Sequence, residues 1–154
     1  MRLSHSLPAL FCLLALAGCG SKTLTLSSFD GSKTARVTVE IADSSKERER
    51  GLMYREEKLA AGQGMIFAFP APKILSFWMK ETLIPLEILF FDAKGEFINA
   101  LQMVPCTLDP CAVYKSQALA QFALEVNPDF RKANEVGTGW KMDLEQVRGM
   151  VSPR

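Results

Sequence analysis

The tetrapeptide Leu16-Ala17-Gly18-Cys19 divides the chain into two parts with different fates. It closes a charged-then-apolar lead in which Arg2 and His5 precede a run from Leu7 to Ala17 broken only by Pro8 and Cys12, the layout of a secretory signal. The run is too short to cross a bilayer, which takes about 20 apolar residues. Small residues ahead of a cysteine suit a lipoprotein-processing peptidase. Residues 1–18 are therefore expected to leave as a signal peptide, with Cys19 becoming the acylated N-terminus. One acyl chain binds marginally and each buried CH₂ contributes about 0.8 kcal/mol, so two or three chains, palmitate among them, make a durable anchor. The expectation is a lipoprotein held on an extracytoplasmic membrane face of the bacterial envelope. The outer membrane is favoured in a Gram-negative cell, because Gly20 and not Asp follows the cysteine.

Removing that lead changes the chemistry left to the chain. The single histidine, His5, goes with it, and so does any imidazole base or imidazole metal ligand. Ser-His and Cys-His catalysis are excluded on the same ground. Of the four cysteines Cys12 is discarded and Cys19 acylated, and in an oxidising compartment Cys106 and Cys111 are expected to pair as a disulfide. Losing Arg2 from 18 basic side chains leaves as many as the 17 acidic ones. A neutral balance without a basic stripe points away from nucleic acid. No cofactor is implied, and a monomer is expected.

After the cysteine, Ser21 to Ser32 is rich in Ser, Thr and Gly, so residues 19–34 read as a tether and residues 35–145 as one globular domain. Alternation of Val37, Val39 and Ile41 with polar residues marks a strand from Ala35. Ser44-Ser45-Lys46-Glu47 is a capping box that opens a helix over Lys46 to Met53, ended by Gly51. Met65 to Phe69 reads as a short strand stopped by Pro70 and Pro72, and Ile74 to Met79 as another. Leu86 to Phe91 is apolar enough for a central strand. Asp92-Ala93-Lys94-Gly95 turns it into a hairpin with Glu96 to Val104. Ala120 to Val126 is a further strand. Asn127-Pro128 suggests a second helix start, Gly137 its end, and Trp140 to Leu144 a last strand before a loosely held tail at 146–154. Six or seven short strands and two short helices give an α+β fold: a strongly curved, mainly antiparallel sheet or small β-barrel.

Four stretches concentrate the unusual residues: Glu47 through Arg55, Gly64-Met65-Ile66-Phe67-Ala68-Phe69, Phe77 through Glu87, and Pro105-Cys106 through Tyr114-Lys115-Ser116. Together they resemble the bacterial and archaeal family called domain of unknown function 192, or uncharacterised protein family 0127. Its hallmark stretches run E-R-x-x-G-L-M-x-R, G-M-x-F-x-F and F-W-M-K-N-T-x-I-P-L-D, with a later P-C and Y-x-S. The resemblance spans Val37 to Leu144 and implies no particular activity. This chain departs from it at Glu81, where the family usually has Asn, and at Glu87, where Asp is usual. Any ligand-binding role of that amide is thereby put in doubt.

The candidate binding residues are Arg55, Trp78, Lys80, Thr82, Tyr114 and Ser116. In a strand Trp78 and Lys80 share one face and Phe77 and Met79 the other. If the latter pair is core, an indole ring and a cation face outward together and suit a small anionic or sugar-like ligand. Alternatively Trp78 packs under the first helix and Lys80 pairs with Glu81 or Glu87. Arg50 and Arg55 each carry a fork for a carboxylate or phosphate, or make solvated or internal ion pairs. Tyr114 and Ser116 line a cleft beside the cysteine loop, or are buried against backbone. Met53, Met65, Met79 and Met103 read as core filler, not a soft-metal site. The sequence thus favours an envelope module binding a small molecule, glycan or protein. The alternative is a histidine-independent enzyme acting on an envelope glycan through Lys80 or paired carboxylates among Glu81, Glu87 and Glu125.

Overall fold

Leu24 and Leu26, inside the stretch read as a tether, are fully buried. The computed structural model describes residues 22–152, so the signal peptide and Cys19 lie outside it. Within it the ordered domain begins at strand β1 (Lys22–Ser27), not near Ala35. A turn in which the Asp30 carboxylate accepts from the Ser28 and Ser32 hydroxyls sends the chain back into β2 (Thr34–Ala42). There the expected alternation buries Ala35, Val37 and Val39.

The capping box forms as read. The Ser44 hydroxyl accepts from the Glu47 N–H, the Glu47 carboxylate accepts from the Ser44 N–H, and helix α1 (Ser45–Arg50) follows. Gly51 ends it at φ 45°, a conformation that favours glycine, where an added Cβ would meet the Phe67 ring at 3.2 Å. Strand β3 (Gln63–Lys73) runs parallel to β2 and continues through Pro70 and Pro72, which the sequence reading took as its end. Prolines cannot donate to a ladder, and they sit where the pairing shifts register between Ala68 and Lys73. Gly64 is required by close approach: a Cβ there would lie 2.6 Å from the Glu125 carbonyl oxygen.

Strand β4 (Ser76–Trp78) is shorter than expected and pairs antiparallel with β7 (Val113–Lys115), which the sequence did not announce. Strand β5 (Leu86–Phe91) is buried at all six positions, as a central strand should be, and forms the expected hairpin with β6 (Phe97–Met103). The Asp92 carboxylate fixes its turn by accepting from the Lys94 and Glu96 N–H groups, each at 2.8 Å. Strand β8 (Ala120–Val126) lies between β5 and β3.

Helix α2 (Phe130–Ala133) starts later than Asn127-Pro128 suggested and stops at Asn134, not Gly137. The Asn127 side-chain amide is occupied elsewhere, donating to the Leu59 carbonyl at 2.7 Å. The last strand, β9 (Lys141–Met142), is short, and the expected loose tail is mostly helix α3 (Leu144–Met150). Asp143 caps α3 by accepting from the Glu145 and Gln146 N–H groups, and Val147 is buried.

The seven-stranded sheet has the order β6-β5-β8-β3-β2-β1-β9, and β4-β7 forms a separate ribbon. Its curl brings the two edges together: Glu96 bridges Lys141, Phe97 donates to the Trp140 carbonyl, and Met142 donates to that of Gly95. The fold is one α+β domain built on a half-barrel, with three short helices among the described residues where two were expected. One core, including Leu24, Leu26, Ile66, Phe91 and Trp140, packs with α3 residue Val147. The other, on the opposite sheet face, includes Met65, Phe67, Ile88 and Phe90 and continues into Leu52, Leu75 and Met79. That second core seats the β4-β7 ribbon and the turn after α1, and between these two the candidate site opens.

A groove between the Trp78 ribbon and the first helix

Phe77 points into the second core, edge-on to Phe67 at 5.1 Å between ring centroids, and Met79 is buried behind it. The pleat turns Trp78 outward, and Lys80, in the turn beyond the end of β4 and not in a strand as expected, is exposed beside it. Trp78 is 49% exposed and the Lys80 ammonium stands 5.5 Å from its ring centroid, so indole and cation face outward together. Such a pairing is worth about 0.5–1 kcal/mol at an exposed site.

The facing wall comes from α1 and the turn after it. Lys46, Glu49, Arg50, Met53 and Tyr54 join Trp78, Lys80 and Glu81 around an open groove of about 430 Å³. Tyr54 is 65% exposed. It holds φ 63°, and Glu81 across the groove holds φ 55°. Residues other than glycine are uncommon in that region, and such conformations gather at binding and catalytic sites.

The other candidates are spread around this centre. Arg55 is absent from the Trp78 groove; it pairs with the Glu40 carboxylate in an adjoining groove of about 450 Å³. Thr82 is buried, its hydroxyl donating to the Lys80 carbonyl at 3.3 Å, and it edges a third groove of about 360 Å³. Tyr114 is half-buried, and its hydroxyl accepts from the Val104 N–H at 3.3 Å. Ser116 is buried and lines none of these three grooves. Its buried hydroxyl accepts from the Leu75 N–H at 3.0 Å while its own N–H donates to the Leu75 carbonyl, so it ties β7 to the β4 approach. Cys106 and Cys111 form a disulfide, which shapes the wall of the third groove.

Of the carboxylates proposed for acid-base chemistry, Glu81 lines the Trp78 groove, whereas Glu87 and Glu125 do not meet. Glu87 is buried and held by α2, accepting from the Arg131 backbone N–H at 2.9 Å with the guanidinium 3.5 Å away. Glu125 is buried beside Met65 and Ile88, its cross-strand neighbours, and burial pushes its carboxyl up to about 8. By strand alternation, Glu125 shares a face with Ala123 and the second core, while Glu87 shares one with Leu89 and the first. They lie on opposite faces of the sheet. Met65, Met79 and Met103 are core residues. Among the described residues no three His, Cys, Asp or Glu side chains gather in a metal-binding arrangement.

The sequence reading missed Tyr54, although the run from Arg50 to Arg55 carried the signal: an aromatic between two arginines, three residues after a helix-ending glycine. That run also falls within the region shared with other proteins. The DUF192 family, described as uncharacterized ACR, matches residues 27–144. The chain belongs to this family. Two solved structures extend the likeness of this DUF192 domain. A candidate transcription regulator from Sinorhizobium meliloti 1021 is 31% identical with a TM-score of 0.72, over 80% of this chain and 92% of that one. A protein of unknown function from Novosphingobium aromaticivorans DSM 12444 is 28% identical with a TM-score of 0.70, over 79% and 83%. No curated protein matches.

Proposed function

We propose that this DUF192 protein is an envelope lipoprotein, acylated at Cys19, whose groove between Trp78 and Tyr54 binds a small acidic or sugar-like ligand without transforming it. The observation that carries the binding reading is the exposed indole of Trp78 with the Lys80 ammonium beside it and Tyr54 on the facing wall. A sugar ring stacks on the uncovered part of the indole while its carboxylate reaches Lys80. Glu87 and Glu125 lie on opposite faces of the sheet and so do not form the carboxylate pair that glycan cleavage uses, which favours binding over hydrolysis through those two residues.

The anchor reading rests on the tetrapeptide ending at Cys19. Strand β1 begins at Lys22, and three residue steps at ~3.5 Å each reach roughly 10 Å. An acylated Cys19 therefore holds the domain against the membrane surface and not on a long leash.

Two measurements test the two halves. Mass spectrometry of the mature protein should find acylated Cys19 as the first residue, with Cys19→Ser released to the soluble fraction; an unmodified mature N-terminus contradicts the anchor. A thermal-shift panel of acidic and neutral sugars should raise the melting temperature with acidic members in the wild type and not in Trp78→Ala. Equal responses in both proteins contradict the groove.

A further inference from the structure

Strand β4 has an edge that the ribbon does not use. The Ser116 N–H donates to the Leu75 carbonyl at 3.0 Å, and the register runs on from there with Ser76 opposite Lys115, Phe77 opposite Tyr114 and Trp78 opposite Val113. In an antiparallel ladder, pairs that exchange hydrogen bonds alternate with pairs that do not. The main-chain groups of Leu75 and Phe77 therefore face β7, and those of Ser76 and Trp78 point the other way. The same alternation turns the Lys115 carbonyl off the far side of β7, where it accepts from the Asn99 side-chain amide at 3.4 Å. No such partner meets the Ser76 or Trp78 main chain among the described residues.

That edge borders the Trp78 groove. Trp78 lines the groove and no β7 residue does, so the groove lies on the side of β4 away from β7. Ser76 and Trp78 are both exposed. Open sheet edges are templates for pairing with another chain. Here the wall built from α1 and Tyr54 faces the edge across a space of about 430 Å³, within the range that holds a drug-sized ligand. Lys46, Arg50 and Lys80 stand around it with Glu49 and Glu81, a mixed lining that leaves selection to stacking and hydrogen bonding.

We propose that the groove takes a glycopeptide, its sugar ring on the Trp78 indole and a short extended peptide arm paired to the β4 edge. This rests on the binding reading above and names the class of ligand. One extended residue is enough for the pairing. Its N–H donates to the Trp78 carbonyl while its own carbonyl accepts from the Trp78 N–H. In strand addition the main-chain bonds supply affinity and the side-chain contacts supply specificity. The indole takes the second role by covering an apolar face of the sugar. A sugar alone leaves the edge unpaired, and a peptide alone leaves the indole bare.

The test is calorimetric titration of the full chain, disulfide intact, with N-acetylmuramic acid, with N-acetylmuramyl-L-alanyl-D-isoglutamine, and with the latter methylated on its alanine nitrogen. The glycopeptide is expected to bind at least about tenfold more tightly than the sugar, as two added main-chain hydrogen bonds allow, and methylation to remove most of that gain. The Trp78 backbone amide should exchange with solvent more slowly under glycopeptide than under sugar. Equal affinity for all three compounds, abolished each time by Trp78→Ala, overturns the edge pairing and leaves the groove reading standing. Free alanyl-isoglutamine binding as tightly as the glycopeptide overturns the assignment of a sugar to the indole. No binding of any of them overturns the glycopeptide, and silence from digalacturonate as well takes the groove reading with it.

Discussion

The backbone N–H of Tyr54 donates to the carbonyl oxygen of Glu81 at 2.7 Å, and both residues hold left-handed backbone conformations. One follows the glycine that ends α1 and the other follows the Trp78 ribbon. This single bond therefore sets the width of the groove between them. The left-handed conformation also accounts for the residue usual in the family at position 81, and nothing in the structure explains Glu there. Asn is among the few residues that tolerate φ near +55°, so the usual amide answers to backbone geometry before any ligand.

Glu81→Asn should accordingly stabilise the protein by about 0.5–1 kcal/mol, part of the ~1–2 kcal/mol that a left-handed residue with a Cβ costs. Chemical denaturation checks this. An unchanged or lowered midpoint would show that the Glu81 side chain contributes more than its conformation costs.

Glu125 makes the domain sensitive to alkali. Below its ordinary pKa of 4.5 the carboxyl is protonated in folded and unfolded chains alike. As pH rises from there towards about 8, the unfolded chain releases the proton while the folded one retains it. Stability therefore falls across that window and levels off above it. Denaturation at pH 5 and pH 8 should show the loss in the wild type and much less of it in Glu125→Gln. Parallel profiles for the two proteins would mean that Glu125 ionises normally.

Strand β1 belongs to the core, so it cannot be trimmed as a linker. Leu24→Ala, at a fully buried position, should cost about 2–5 kcal/mol. A melting curve unchanged by the substitution would return residues 22–27 to the role of a tether.

Breaking the disulfide should act locally. On the loop-entropy model the short ring closed by Cys106 and Cys111 contributes about 2 kcal/mol, so Cys106→Ser with Cys111→Ser should lower the melting temperature by roughly 5–10 °C without unfolding the sheet. Hydrogen exchange should rise in the cysteine loop and in β7 while β5 and β8 stay protected. Loss of protection across the whole sheet would contradict a local role.

Much of this arrangement was legible where short-range patterns decide structure. The capping box at Ser44 and Glu47, the alternation through Val37 and Val39, and the Asp92 to Gly95 turn are local signals, and each forms as read. The outward turn of Trp78 follows from period two once Phe77 is core, whereas Lys80 stands beyond the end of β4, in the turn that follows it. What escaped depends on distant partners. Strand β1 has only Leu24 and Leu26 as inward residues in a Ser/Thr-rich stretch, and becomes a strand because β2 and β9 flank it. Strand β7 is three residues long and exists through β4. Helix α3 packs beside β1, with Gln146 accepting from the Thr25 N–H at 2.7 Å. The site was half legible for the same reason. Tyr54 joins it only because a left-handed turn swings it beside a ribbon more than twenty residues later, and Ser116 leaves it because its hydroxyl serves the Leu75 backbone.

The chain has two tryptophans, Trp78 in the groove and Trp140 in the first core, so the indole N–H region of a ¹H–¹⁵N spectrum reports on both at once. Titrating digalacturonate into the labelled protein tests the groove most directly, with Trp78→Phe assigning the two signals. The Trp78 resonance should shift saturably while that of Trp140 stays in place. If the Trp78 signal stays fixed at saturating sugar, or only Trp140 moves, the groove is not the binding site.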